Sequence, residues 1–404
     1  MQYPHISAHS EDIVRCIKCG LCKSVCPPYL ETFVESEGAR GRVALVEALQ
    51  DGRLTLSHIL SDRIFTCLNC KACVEACPSG CNVDDLVLSL RAELASRGKI
   101  GLIKRLVLND IVPSRTKLDL AVKAGSVFQR FPGLFSMLGL DGEGGFPKLQ
   151  GRSFIDSHRP GRRVRNPVMR VGFFVGCGTN FLHTEAGEAI VWVLERHGCE
   201  VIVPREQVCC GTPVFNSGEF GTGRKLAERN LEVFEKAKVD AVITGCGSCG
   251  LTLKKEWHEV LGVDAREFSN KVYDFSEFLV KELKLQKPRR SFLLAVTYHD
   301  PCHLARGQGI KDEPREILKN IPGVNLVEMR ESTRCCGGAG TFAFTWPELS
   351  RKIGSRKALS IRDTAASMVT TSCPGCYLQL RRVLRANDIE MSVKHVAELY
   401  ASAL

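Results

Sequence analysis

The chain has 404 residues, 44% of them hydrophobic, and its 55 Lys and Arg outnumber 45 Asp and Glu for a formal net charge of +10. This length supports two to four domains with cores of their own, and the composition is that of an ordinary water-soluble protein. No run of roughly eighteen uncharged apolar residues occurs, which argues against a membrane-spanning helix.

The opening stretch "MQYPHISAHSEDIV" is polar and lacks the apolar segment of a signal peptide. A cytoplasmic location is expected, with any membrane contact peripheral and on the inner face. Twenty cysteines in such a chain, many in C-x-x-C spacing, point to reduced thiolates bound to metal rather than to a disulfide framework.

The first motif, "CIKCGLCKSVCPP", sets Cys16, Cys19, Cys22 and Cys26 ahead of Pro27, and "CLNCKACVEACPS" repeats it with Cys67, Cys70, Cys73 and Cys77 ahead of Pro78. This is the spacing of bacterial two-cluster ferredoxins, in which three close thiolates hold one cubane 4Fe-4S cluster and the fourth reaches the other. The expected sets are Cys16, Cys19 and Cys22 with Cys77, and Cys67, Cys70 and Cys73 with Cys26. Paired C-x-x-C motifs also make zinc sites, but two identical quartets each closed by proline favour iron. Between them "ARGRVALVEALQDGRL" places Val43, Val46, Ala48 and Leu49 at helical spacing. Cys81 has no counterpart after the first quartet and reads as a buried structural residue. Residues 1–97 are assigned to this helical ferredoxin domain.

Residues 98–168 read as a helical connector, apolar at mixed helical spacing and broken by Pro113 and Pro132. A membrane-surface helix is the alternative use. The connector's end carries a knot of arginines, Arg152, Arg159, Arg162, Arg163, Arg165 and Arg170, interrupted by Pro160, Gly161 and Pro167. With few aromatics it reads as a linker rather than a nucleic-acid patch, and an acidic partner surface is a compatible use.

From Val171 short β-branched runs alternate with amphipathic stretches: "VGFFVG", "EVIVP" and "DAVITG", then "LLAVTYH", "NLVEM" and "SMVTTS". This is the pattern of two α/β domains with parallel strands, assigned to residues 169–288 and 289–404. The cysteines repeat with them. Cys177 maps onto Cys302 at an offset of 125, Cys210 onto Cys336 at 126, and Cys246 onto Cys373 at 127. Each repeat therefore holds one cysteine, a vicinal pair and a C-x-x-C, all just past strand ends, where loops of an open parallel sheet converge. One zinc ion or one cubane needs only four ligands, so the fifth thiol needs explaining; an adjacent pair lets two sulfurs reach neighbouring irons, with one able to bridge.

This arrangement resembles the cysteine-rich, CCG-containing domain of heterodisulfide reductase, and the whole chain resembles the iron-sulfur subunit of glycolate oxidase. The resemblance implies two noncubane 4Fe-4S clusters, one on Cys177, Cys209, Cys210, Cys246 and Cys249 and one on Cys302, Cys335, Cys336, Cys373 and Cys376. Glycolate oxidase subunits often lack part of one set, whereas this chain keeps both, a departure that leans toward heterodisulfide-type chemistry.

Three motifs compete for other roles. "GCGSCG" at 245–250 fits a dinucleotide fingerprint, but its repeat partner "SCPGCY" shares only the thiols. "CPGC" matches a thioredoxin-type dithiol, which needs neither a vicinal pair nor a duplicate. His299, Asp300 and His303 flank Cys302 and are read as capping the next turn or hydrogen-bonding ligand sulfurs, with proton donation as the alternative. Cys199 has no repeat mate and reads as core.

The expected function is electron transfer in a redox complex. By resemblance the partner is a flavoprotein that oxidises a 2-hydroxy acid such as glycolate or D-lactate, with an electron-transfer flavoprotein, quinone or thiol carrier downstream. The alternative is a catalytic subunit that reduces a disulfide at a noncubane cluster. No catalytic residue is assigned, and no nucleic-acid partner is expected.

Overall fold

The computed structural model describes residues 3–129, 149, 151–159 and 166–404. Arg162, Arg163 and Arg165 of the arginine knot, and most of the connector beyond Gln129, lie outside the described residues.

The described residues before Gly101 form helices joined by loops, with no strand. The predicted helix is present as Ala39–Gln50, and it packs with the Val83–Ser96 helix around Val43, Val46, Leu49, Leu86, Val87 and Leu90. Gly41 permits this helix to lie against the Glu35–Glu37 turn: a Cβ there would sit 1.8 Å from the Glu35 carbonyl. Within the connector, helix Leu102–Leu106 runs on through Val107–Ile111, and a second helix spans Arg115–Phe128. Leu108 is buried with Val208, Val214 and Leu226, whereas Leu102 and Ile103 are exposed. Among the described residues no helix is long and apolar enough to cross a membrane.

The remainder forms two four-stranded parallel sheets. The first has strands β1 Met169–Phe173, β2 Cys199–Ile202, β3 Ala241–Thr244 and β4 Val272–Asp274, in the order β2-β1-β3-β4. The second has β5 Leu294–His299, β6 Val324–Leu326, β7 Met368–Thr371 and β8 Ser392–His395, in the order β6-β5-β7-β8. The chain direction across each sheet reverses between β1 and β3, and between β5 and β7. Loops leaving the carboxyl ends diverge at such a point and open a crevice.

The repeats are packed as one body. A single apolar cluster joins Phe173, Ile190 and Phe275 of the first to Tyr298, Ile317 and Tyr400 of the second. Across the same junction His183 Nε2 lies 2.7 Å from Glu398 Oε2, and His395 Nε2 lies 3.0 Å from the Gly245 carbonyl. Burial opposes ionisation of Glu398, yet the His183 hydrogen bond and others hold its carboxyl down at about 2.

Candidate metal centres

The two amino-terminal loops share an unusual backbone. Lys18 and Asn69, each two residues after its quartet's first cysteine, have φ of 57° and 50°, and Gly20 and Lys71, one after the second, have 85° and 59°. Left-handed residues other than glycine are uncommon and are kept where the surroundings require them. Here they turn the chain tightly enough to aim amides at sulfur: the Asn69 N–H donates to Cys67 Sγ at 3.4 Å. The Cys81 N–H donates to Cys77 Sγ at 3.3 Å.

These loops bring the cysteines together in crossed quartets. Cys16, Cys19, Cys22 and Cys77 line one cavity. Cys26, Cys67, Cys70 and Cys73 line another, and Val83 lies in the wall of both. None of the twenty cysteines forms a disulfide. Burial pushes the Cys73 thiol well above its ordinary range, and the neighbouring Cys67, Cys70 and Cys26 push it the same way. Such a group carries several thiolates only when a cation sits among them. Arg42, fully buried, lies 3.8 Å from Cys26 Sγ through Nη1. The donor sets and amides fit an iron-sulfur cluster in each cavity, and the second also has the buried Arg42 in its wall.

In the first repeat the thiols form a chain of contacts, Cys177 to Cys209, Cys209 to Cys210, Cys210 to Cys249, and Cys249 to Cys246. The second repeats it: Cys302 to Cys335, Cys335 to Cys336, Cys336 to Cys376, and Cys376 to Cys373. Gly211 and Gly337, with φ of 97° and 84°, follow the vicinal pairs, and this turn directs both sulfurs of a pair into the crevice. Each set thus places five thiols where one inorganic centre could engage them.

The sets also meet one another. Cys246 Sγ and Cys373 Sγ are 4.0 Å apart, joining the two repeats. Cys70 packs with Cys335 in one apolar cluster, with Cys302 against it. The order in space is therefore the Cys16 quartet, the Cys26 quartet, the second repeat, then the first. It is not the order in sequence.

The three flanking polar residues take three separate roles. His303 Nε2 lies 2.8 Å from the Asn69 carbonyl, so it fastens the second repeat to the ferredoxin-type loop rather than capping a turn or touching sulfur. Arg306 reinforces that joint through Glu75 at 2.8 Å. Asp300 forms a two-pronged ion pair with Arg315 at 2.8 Å. His299 alone of the three faces the thiols, with a ring nitrogen within 4.8 Å of the Cys336 and Cys376 sulfurs. In "GCGSCG" a Cβ on Gly247 would lie 3.1 Å from that of Leu304, so this glycine serves close packing between repeats.

Cys81 is buried in the wall of the first cavity, a placement its lack of a repeat mate did not indicate. Burial, with the nearby Cys16 and Cys77, pushes its thiol up to about 12. Cys199 opens β2 in the apolar cluster beneath the sheets, where burial pushes it up to about 11. Replacing either with alanine is expected to leave iron content at the parent level, with a stability loss of about 1 to 3 kcal/mol in thermal unfolding. Loss of iron in Cys81→Ala would instead make it a ligand.

Comparison with known proteins agrees with this layout. The cysteine-rich CCG domain matches residues 171–254 and 296–381, and the 4Fe-4S dicluster domain matches 12–81. The Bacillus subtilis protein named "Probable glycolate oxidase iron-sulfur subunit" is 32% identical over 97% of this chain and 94% of its own. A fumarate reductase (CoM/CoB) subunit of Methanothermobacter marburgensis is 33% identical over 95% of this chain and 71% of its own. Lactate utilization protein A of Oceanobacillus iheyensis is 32% identical over 57% of this chain and 96% of its own. With a ferredoxin-type segment, two parallel α/β repeats and this cysteine pattern, the chain belongs to the family of the glycolate oxidase iron-sulfur subunit and its heterodisulfide reductase-like relatives, and is an iron-sulfur protein.

Proposed function

We propose that this chain is the electron-transfer subunit of a redox complex, linking a flavin-containing dehydrogenase of 2-hydroxy acids such as glycolate or D-lactate to a downstream acceptor. It holds two cubane 4Fe-4S clusters on the crossed quartets and two noncubane 4Fe-4S clusters on the five-cysteine sets. When bound, these groups take up and release single electrons. The observation that carries this reading is the unbroken succession of cysteine sets, from Cys19 at the surface to Cys177 in the first repeat.

The chain's own residues set the ends and the spacing of that succession. Cys19 is the exposed one of the twenty cysteines, and the apolar side chains of Ile17 and Leu21 beside it are exposed too. This edge suits exchange with a partner protein. His303 and Arg306 hold the Cys70 loop against the second repeat, and the Cys246–Cys373 approach keeps the repeats in register.

The names of the relatives supply the substrate class, and one test separates the readings. Isolated chain, reconstituted anaerobically, is expected to give no dye-linked oxidation of glycolate or lactate, and to be reduced by those acids only after a flavoprotein partner is added. Turnover at enzymatic rates without a flavoprotein would overturn the subunit reading. The second reading, reduction of a disulfide at the five-cysteine sets, is favoured by both sets being complete and adjoining. It predicts consumption of a disulfide by the chemically reduced chain.

A further inference from the structure

The two five-cysteine sets are copies of one another, but their surroundings differ. In the first set Thr212 Oγ1 lies 3.1 Å from Cys210 Sγ, where the second has Gly338, and two further differences bear on the second set. At the offset of 125 that carries Cys177 onto Cys302, His299 replaces Phe174. Phe174 is buried in the apolar cluster that contains Cys209, Cys210, Cys246 and Cys249. His299 ends β5 at 1% exposure, and neither of its ring nitrogens has a hydrogen-bond partner among the described residues. A buried donor left unsatisfied costs about 1 to 3 kcal/mol. An imidazole carries at least one N–H whether neutral or protonated, and the groups it faces are the Cys336 and Cys376 sulfurs.

The second difference lies on the long helix that follows each vicinal pair. Phe220–Ala237 and Pro347–Arg362 begin 127 residues apart, and at that offset Lys357 replaces Asn230. Asn230 braces the loop at the first pair by bonding the Val208 amide and the Cys209 carbonyl. Lys357, fully buried, donates to the Glu331 carbonyl at 2.6 Å and the Ser332 carbonyl at 3.1 Å, and lies 3.8 Å from Met329 Sδ. Three acceptors require three N–H donors, which only the ammonium form has. The second set therefore sits beside an imidazole and a buried cation, the first beside a phenyl ring, a carboxamide and the neutral Thr212 hydroxyl.

We infer that His299, backed by Lys357, donates a hydrogen bond to sulfur in the second set and makes it the higher-potential site of the two, so that an electron shared between them resides on the second. This rests on the reading that both sets hold clusters. Hydrogen bonds to sulfur and nearby positive charge favour the reduced, more negative state. No bond forms or breaks, and the electron comes from whatever reductant loads the ferredoxin-type quartets. His299 is a positioning residue that acts on potential.

The test is a redox titration of the reconstituted full chain followed by electron paramagnetic resonance, in the parent protein and in His299→Phe, His299→Gln and Phe174→His. The parent's second-set signal is expected to titrate above its first-set signal. His299→Phe should shift the electron partition between the sets about tenfold toward the first, equivalent to 59 mV for one electron. His299→Gln, which keeps an N–H donor, should recover most of that shift. Phe174→His should raise the first set, and it decides the matter if His299→Phe does not assemble. Absence of any carboxy-terminal signal in the parent would defeat the cluster reading itself. Two signals present but unmoved by His299→Phe and Phe174→His would overturn the inference and leave that reading standing.

Discussion

Replacing Cys336 with alanine is expected to abolish the signal of the second set and, in addition, to cut the first set off from electrons delivered at the ferredoxin end. Cys210→Ala is expected to remove the first-set signal alone. The asymmetry follows from position. Cys70 of the ferredoxin-type segment packs with Cys335 and has Cys302 against it, while the first repeat meets the rest through Cys246 and Cys373, 4.0 Å apart. The second set therefore lies between the quartets and the first set. In Cys336→Ala the first-set signal should still develop with a small diffusible reductant, which shows the set assembled, yet fail to develop when a partner protein supplies the electrons. Equal reduction of the surviving set in both variants would contradict this order.

Arg42→Leu is expected to remove the cluster of the Cys26 quartet while sparing that of the Cys16 quartet. Arg42 is 1% exposed, with Nη1 3.8 Å from Cys26 Sγ and Nη2 donating to Thr66 Oγ1 at 2.9 Å. Burial works against its charge, but the Cys67 and Cys26 thiols more than restore it. Leucine leaves those thiolates without their buried counter-charge, and removing one partner of a buried charged pair costs about 3 to 5 kcal/mol. Iron content should fall by about four per chain, with a lowered melting temperature. Unchanged iron and unchanged melting would assign the charge compensation elsewhere.

How far the fold could be read from the sequence depended on what each residue's pattern encodes. The quartets and vicinal pairs were legible because their spacing is dictated by the chemistry they serve, and the Ala39–Gln50 helix because its apolar residues recur at helical period. Strands β4 and β8 leave little trace in the sequence. They are short, "VYD" and "SVKH", and their polar ends Asp274 and His395 serve as helix N-caps in capping boxes. The cap requires a polar residue where a strand would show an apolar one.

The order of the cysteine sets was also beyond the sequence. It arises from docking contacts such as His303 with Asn69, separated by 234 positions, which leave no local periodicity. "YHDPCH" did mark three polar residues beside Cys302. Which of them faces sulfur depends on the end of β5, where His299 points into the crevice, Asp300 turns to Arg315, and His303 reaches the neighbouring segment.

The central claim is that four cysteine sets hold four iron-sulfur clusters, and iron determination on the anaerobically reconstituted chain tests it most directly. The account predicts about sixteen irons per chain, four for each set, with spectra of two kinds. A value near eight, with cubane spectra alone, would contradict it and leave the ten cysteines of the two five-cysteine sets without clusters.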